Sequence, residues 1–194
     1  MIRNAAFLLF ALLNAHSNAD VAFTRSIDEK WKFSVDRPKS WIVQPNPNPA
    51  IRFMFGIEKT DYGGNCNVGI VPSSSTAKLT QTQVDSDENR RPLTPAFFQN
   101  ALKGISSDVA IKSVQQIQRG QYWGHLVEYT YSYIEPSVNI RVHMHNEMFS
   151  HSRPGGVFTF TCGLGTASKV SSASAFAKER AQFQKFAASL RVDA

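Results

Sequence analysis

Apolar and polar residues alternate along much of the chain, a pattern typical of β-strands whose two faces meet different surroundings. The alternation is strictest over Ile51–Ile57. In the first half of the chain, the pattern predicts strands at 31–35, 41–43, 51–57 and 67–71. In the second half, it predicts strands at 110–118, 121–134, 138–149 and 157–162. We expect 121–134 and 138–149 to form one long hairpin, and the glycine-rich residues 163–165 to end the last strand.

Apolar residues at helical spacing predict two helices. Thr94 and Pro95 suit the N-cap and the first position of a helix that extends to about Ile105. A longer helix is predicted at 169–190, and one side of it carries Val170, Ala173, Phe176, Phe183, Ala187 and Leu190. The polar segment 73–92 predicts a mobile excursion with a short helix near 80–87. This order of elements predicts an α+β protein, an antiparallel β-sheet flanked by helices.

A family resemblance follows from the opening strand and the element order. The opening residues are Phe33-Ser34-Val35-Asp36-Arg37-Pro38-Lys39-Ser40-Trp41, and the run of four later strands ends in Gly156-Val157-Phe158-Thr159-Phe160-Thr161 before a closing helix. This combination resembles the PsbP-like fold of the extrinsic photosystem II protein, which a yeast Ran-binding protein and bacterial secreted proteins of unknown role share. The resemblance covers about residues 31–190 and implies an α/β/α sandwich with a long C-terminal helix. It carries no functional residue over to this chain.

Residues 1–19 have the layout of a signal peptide. Arg3 gives a positive start, 5–13 is a short apolar run, and small residues precede Asp20. We therefore expect cleavage before Asp20, which leaves 20–194 as a single mature domain that is periplasmic or secreted. No later stretch reaches the roughly 18 apolar residues of a membrane span, so we expect no transmembrane segment in the mature chain.

The chain has two cysteines, Cys66 and Cys162. In an oxidising compartment, a single pair favours a disulfide bond. The alternative is a free cysteine nucleophile served by a histidine, which needs a reduced thiol of low pKa. No cation lies next to either cysteine in the sequence, so we expect the bridge.

The predicted hairpin has one apolar and one polar face. Burial favours a register whose paired residue numbers add to an odd value, because a slip by one residue would turn every side chain over. Ile134 opposite Asn139 meets this condition and puts Pro136 at the second position of a type I turn. We expect the apolar face, with its tyrosines, to pack against the long C-terminal helix.

The polar face of the same hairpin is a candidate metal site. In the expected register, Glu128 lies opposite His145, and His143 is two residues away on the same side. Histidines at this spacing beside a carboxylate can bind zinc or copper. Arg141 is on the same face and repels a cation. A polar face held together by ion pairs is the alternative interpretation.

These observations predict a non-catalytic exported domain that binds another envelope or secreted protein through the loops at 73–92 and 45–49. The metal-binding protein is the second hypothesis, and a hydrolase with an acid or nucleophile beside His125 or His145 is the third. We expect no cofactor other than that zinc or copper. The net charge of +6 is mild and its basic residues are scattered, so we expect no nucleic-acid partner.

Overall fold

The computed structural model describes residues 22–46, 48–57, 63–119 and 121–192. The predicted signal peptide at 1–19 lies outside the described residues. The strands are β1 Phe23–Asp28, β2 Phe33–Pro38, β3 Ile42–Val43, β4 Ile51–Ile57, β5 Gly64–Pro72, β6 Ala110–Arg119, β7 Tyr122–Glu135, β8 Ile140–Arg153, β9 Gly156–Thr166 and β10 Arg191–Val192. The helices are α1 Gln81–Val84, which continues as one π-helical turn at Asp85–Asn89, α2 Pro95–Ala101 and α3 Lys169–Ala188.

The strands form two antiparallel sheets. The large sheet has the order β3-β4-β5-β9-β8-β7-β6, and the small sheet has the order β1-β2-β10. Strands β3 to β5 and β6 to β9 are two consecutive meanders, and the β5–β9 pair joins them. The predicted antiparallel sheet flanked by helices is confirmed. Among the described residues, none of the helices has the length and apolarity that a bilayer span requires.

Helices cover both faces of the large sheet, as an α/β/α sandwich requires. On the face that α3 covers (the α3 face), the largest core side chains are Phe33, Trp41, Phe55, Phe149, Phe160, Phe176, Phe183 and Phe186. On the opposite face (the α2 face), Phe98 and Leu102 pack on Val127, Tyr129 and Met148. The prediction that the tyrosines pack against α3 is therefore wrong. The tyrosines point to the α2 face, and the polar residues that alternate with them face α3.

The Cys66–Cys162 disulfide bond is present, as predicted. The two residues are directly opposite each other on β5 and β9, with their Cα atoms 4.1 Å apart. Both cysteines are buried on the α3 face. The alternative of a free cysteine nucleophile is wrong, because both thiols are consumed in the bridge.

Glycines extend β9 beyond the predicted end of that strand. Residues 163–165 continue the pairing with β8 through Thr166 instead of breaking it. A Cβ atom on Gly163 would collide with the Asn146 side chain, and one on Gly165 would lie 2.7 Å from the sulfur of Met144. These glycines therefore let the neighbouring β8 side chains lie flat over β9.

The helices differ from the predictions mainly in their ends and faces. Thr94 caps α2 as predicted, since its side chain accepts a hydrogen bond from Phe97 N, but the helix ends at Ala101. Helix α3 ends at Ala188, and its predicted apolar residue Val170 is 80% exposed. Strand β1 has no counterpart in the predictions.

The segment 73–92, predicted as a mobile excursion, packs against the sheet. Val84 is fully buried. The buried Asn89 donates from Nδ2 to Ser152 O at 2.6 Å and accepts from Ser152 N. Asn89 thus pairs with β8 as a strand residue would, which fixes the second half of the segment on the domain.

The register of the β7–β8 hairpin differs by two residues from the predicted one. Glu135 pairs with Ile140. The numbers of paired residues therefore add to an odd value, as expected, but this sum is larger by two than the predicted one. Asn139 has a φ of 51°, the left-handed conformation that asparagine tolerates, and it ends the four-residue turn. The faces are therefore as predicted, and the individual partners are not. Thr130 is opposite His145, and Glu128 is opposite Glu147.

Candidate functional site

Five charged or polar side chains meet between the large sheet and the middle of α3. Strands β6, β7 and β8 contribute Arg119, Glu128, His145 and Glu147, and α3 contributes Arg180. The alternation of the strands points all four sheet residues toward α3, because these positions lie on the face opposite the tyrosines. We call this group the α3 cluster.

Glu128 is the acceptor at one end of the α3 cluster. Its Oε1 lies 2.8 Å from His145 Nε2, and its Oε2 accepts a hydrogen bond from Arg180 Nη2 at 2.6 Å. The His145 ring also stacks on Phe176, with 4.6 Å between centroids. The predicted closeness of Glu128 and His145 is thus real, although they are diagonal neighbours in the sheet.

Glu147 is the acceptor at the other end of the cluster. Arg119 Nη2 donates to its Oε1 at 3.1 Å, and Arg180 Nε lies 3.7 Å from its Oε2. Arg119 also donates from Nη1 to Gln184 O in α3 at 3.1 Å. Burial lowers the pKa of Arg119, and the charge of Glu147 opposes this shift. The cluster therefore ties α3 to the sheet through charge-assisted hydrogen bonds.

The α3 cluster uses the groups that were predicted to bind zinc or copper. Arg180 brings a positive charge onto Glu128 where a metal ion would be held. Among the described residues, no group of three His, Cys, Asp or Glu side chains is placed to hold a metal ion. Metal binding by His143, His145 and Glu128 therefore stays a prediction from the strand pattern.

A cavity of about 410 Å³ opens beside the cluster, between the sheet and the first turns of α3. We call it the α3 cavity. Strands β6 to β8 supply one wall, and α3 supplies the other with Lys169, Ser172 and Ala173. Sequence reasoning missed this cavity because it exists only where α3 begins to cross the sheet. Its volume is in the range of small-molecule sites.

Comparison with known proteins defines the fold. The chain is similar to the solution structure of cyanobacterial PsbP from Synechocystis sp. PCC 6803, with a TM-score of 0.59 and 15% identity over 94% of this chain and 99% of that one. The chain has a PsbP-like fold. At this identity the likeness shows the fold alone. No known protein-family description matches the sequence. No curated protein matches it either.

Two further structures are more distant from this PsbP-like domain. A Pseudomonas aeruginosa protein of unknown function has 10% identity, covers 89% of this chain and 98% of its own, and has a TM-score of 0.45. LpqN of Mycobacterium tuberculosis, described as involved in cell envelope biogenesis, has 9% identity, covers 82% and 81%, and has a TM-score of 0.36.

His125 and His145 were the two candidates for a hydrolase in the PsbP-like domain. His125 contacts backbone, since its Nε2 lies 2.7 Å from Arg91 O and 3.4 Å from Leu93 N. Burial lowers the pKa of His125. His145 has an acid beside it, but Arg180 ion-pairs with the same carboxylate. Among the described residues, these two histidine rings contact one carboxylate, that of Glu128, and no hydroxyl group that could act as a nucleophile.

His151 is a buried histidine that the sequence did not single out. It lies among aromatic rings, with centroid distances of 4.9 Å to Tyr122 and 5.7 Å to Phe149. Neither of its ring nitrogens has a hydrogen-bond partner among the described residues. Burial, together with the nearby charge of Arg153, lowers its pKa to about 3.

We expect His151 to make the domain less stable in acid. Its pKa is lower in the folded state than the roughly 6.5 of an unfolded chain, so the unfolded state binds the proton first. The free energy of unfolding should therefore fall by about 1.4 kcal/mol per pH unit between about pH 6 and pH 3. Urea unfolding at several pH values measures this slope. His151→Phe should flatten it. An equal slope in wild type and His151→Phe would contradict the assignment.

Proposed function

We propose that this chain is an exported, non-catalytic accessory domain that binds another protein of the envelope or the extracellular medium. Export is supported by the formed disulfide bond, because such bonds persist in oxidising compartments. The binding role is supported mainly by one observation, an exposed apolar surface at the end of the β7–β8 hairpin. We call it the hairpin-end surface, and its members are Ile42, Tyr133, Val138 and Ile140.

The hairpin-end surface brings together residues from distant strands. Ile42 of β3 and Tyr133 of β7 line the same depression of about 250 Å³, although four strands separate β3 from β7 in the sheet order. Ile140 is on the same face as Tyr133, and Val138 is in the turn beside it. Ile42 and Val138 are 52% and 53% exposed. Exposed apolar residues grouped in this way are typical of protein–protein contact sites.

The depression has the make-up of a site for an apolar anchor from a partner. Glycines Gly56 and Gly64 expose backbone in its wall, and Gln44 and Asn65 add polar groups around the apolar centre. An apolar centre with a polar rim is the usual organisation of such interfaces. The segment at 45–49, proposed from the sequence, follows β3 directly and flanks this surface, with Pro47 outside the described residues. The other segment proposed from the sequence, 73–92, packs mainly on β8. We therefore propose the hairpin-end surface as the binding site in its place.

We expect a photo-reactive amino acid at position 138 to form a crosslink with a partner protein in living cells. The same substitution at Val170 is the matched control, because Val170 is also an exposed valine but lies on α3. Ile140→Asp should abolish the crosslink from 138, since it places a charge in the apolar surface. Western blotting and mass spectrometry identify the adduct. The same adducts from 138 and 170 would contradict the proposed surface.

A further inference from the structure

The two carboxylates that line the α3 cavity already accept hydrogen bonds from protein groups. Glu128 accepts hydrogen bonds from Arg180 and His145, as described above. Asp108 accepts hydrogen bonds from Ser106 Oγ at 2.8 Å, from Ser132 N at 3.0 Å and from Ser132 Oγ. These hydrogen bonds, with the nearby charge of Arg141, lower the pKa of Asp108 to about 2. Asp108 is therefore ionised, and its oxygens, like those of Glu128, are already engaged in hydrogen bonds within the protein.

The two lysines of the cavity, by contrast, have no charged partner within the described residues. Lys112 of β6 and Lys169 of α3 stand on opposite walls. Within the part of the chain that the structure describes, neither lysine has an ion-pair partner. His143 also lines the cavity and can donate a hydrogen bond. The space between the two lysines is therefore the positive part of the cavity, apart from the ionised Asp108.

The start of α3 adds to this positive potential. Its N-cap residue, Ser168, makes no side-chain capping hydrogen bond. The first backbone N–H groups of the helix have no partner within the helix, and they carry part of the helix dipole. Lys169 and Ser172 of these first turns line the cavity.

The rest of the lining is apolar. Ala110, Ala173 and Met144 give the cavity an apolar side next to its basic groups. A bare inorganic ion would leave this side unused and would not fill about 410 Å³. The lining instead matches a small organic molecule with an anionic group at one end.

We propose that the α3 cavity binds a small organic anion, with its carboxylate or phosphate group held between Lys112 and Lys169. The hairpin-end surface lies on the other face of the sheet, and its depression shares Met144 with the lining of the α3 cavity. Attraction between the anion and two partly exposed lysines is screened by salt, so the affinity should fall as ionic strength rises.

Titration of the 20–194 chain with four probes, followed by NMR of the backbone amides, tests this proposal. The probes are citrate, benzoate, glycerol 3-phosphate and inorganic phosphate. We expect saturable shifts for an organic probe, confined to 110–112, 130–132, 143–145 and 169–173. Benzoate and citrate report carboxylate recognition, and glycerol 3-phosphate reports phosphate recognition. Glycerol is the uncharged control.

Two variants separate a built site from general charge attraction. Lys112→Ala with Lys169→Ala should weaken binding of the organic probe by at least about tenfold, since each lysine contributes a charge-assisted hydrogen bond. Lys178→Ala is the matched control, because Lys178 is an exposed lysine of α3 that does not line the cavity. It should change the affinity less than about twofold. Equal affinity in the double variant, or no saturable binding of any organic probe up to about 10 mM, would overturn the proposal.

Discussion

Replacing both cysteines with alanine should lower the free energy of unfolding by about 4–5 kcal/mol. The bond closes a loop of 96 residues, and its loss restores the conformational freedom of that loop in the unfolded chain. Few single changes have a larger effect on a domain whose total stability is expected to be about 5–15 kcal/mol. The native contacts change little, because each alanine loses one buried sulfur atom.

Urea unfolding with and without reductant measures this effect. Both cysteines are buried, so the bond has to be reduced in the unfolded chain before refolding. Reductant should destabilise the wild type and leave the Cys66→Ala/Cys162→Ala variant unchanged. If reduced and oxidised wild type differ by less than about 1 kcal/mol, the disulfide bond does not supply the expected stabilisation.

Glu147→Ala should destabilise the domain by about 3–5 kcal/mol, the second large effect that we expect. The side chains of Glu147 and Arg119 are 7% and 9% exposed, so removal of the carboxylate leaves a buried guanidinium without its counter-charge. Glu29→Ala is the control, because Glu29 pairs with Lys32 on the surface. That variant should differ from the wild type by less than about 0.5 kcal/mol.

A double variant tests whether charge causes the loss. Arg119→Met with Glu147→Leu removes both charges and fills similar volume, and buried pairs replaced in this way lose little stability. Its free energy of unfolding should return to within about 1 kcal/mol of the wild type. A double variant as unstable as Glu147→Ala would show that the lost packing, and not the unpaired Arg119, carries the cost.

The hairpin shows what residue alternation can and cannot predict. Alternation correctly predicts which residues of β7 and β8 share a face, because one face is apolar and the other is polar. Registers that differ by two residues place the same residues on the same faces, so alternation cannot choose between them. The turn determines the register, because Asn139 adopts a left-handed backbone conformation there. Glu128 and His145 still meet, since long side chains reach a diagonal neighbour.

The direction in which α3 packs could not be predicted in this way. Both faces of the large sheet carry aromatic residues, so a long amphipathic helix could cover either face. Helix α3 covers the face that is polar on β7 and β8, because its phenylalanines pack there on the aromatic residues of the other strands, and Arg180 pairs with Glu128 and Glu147. A signal was present in the sequence, since Arg180 follows Phe176 by four residues and therefore lies on the same side of the helix. The α3 cavity had no such signal, because it depends on how the start of α3 crosses three strands.

The sheet order also has a consequence for the proposed export, in which the N-terminus crosses the membrane first. Strand β5, with the free thiol of Cys66, crosses the membrane before β9, and the partner cysteine follows 96 residues later. Until then, one edge of β5 is open to wrong partners. Strand β10, which pairs with β2, is delivered last of all. The large sheet is thus incomplete until β9 arrives and the small sheet until β10 arrives. A chain that stalls before β9 presents an open strand edge and a reactive thiol together.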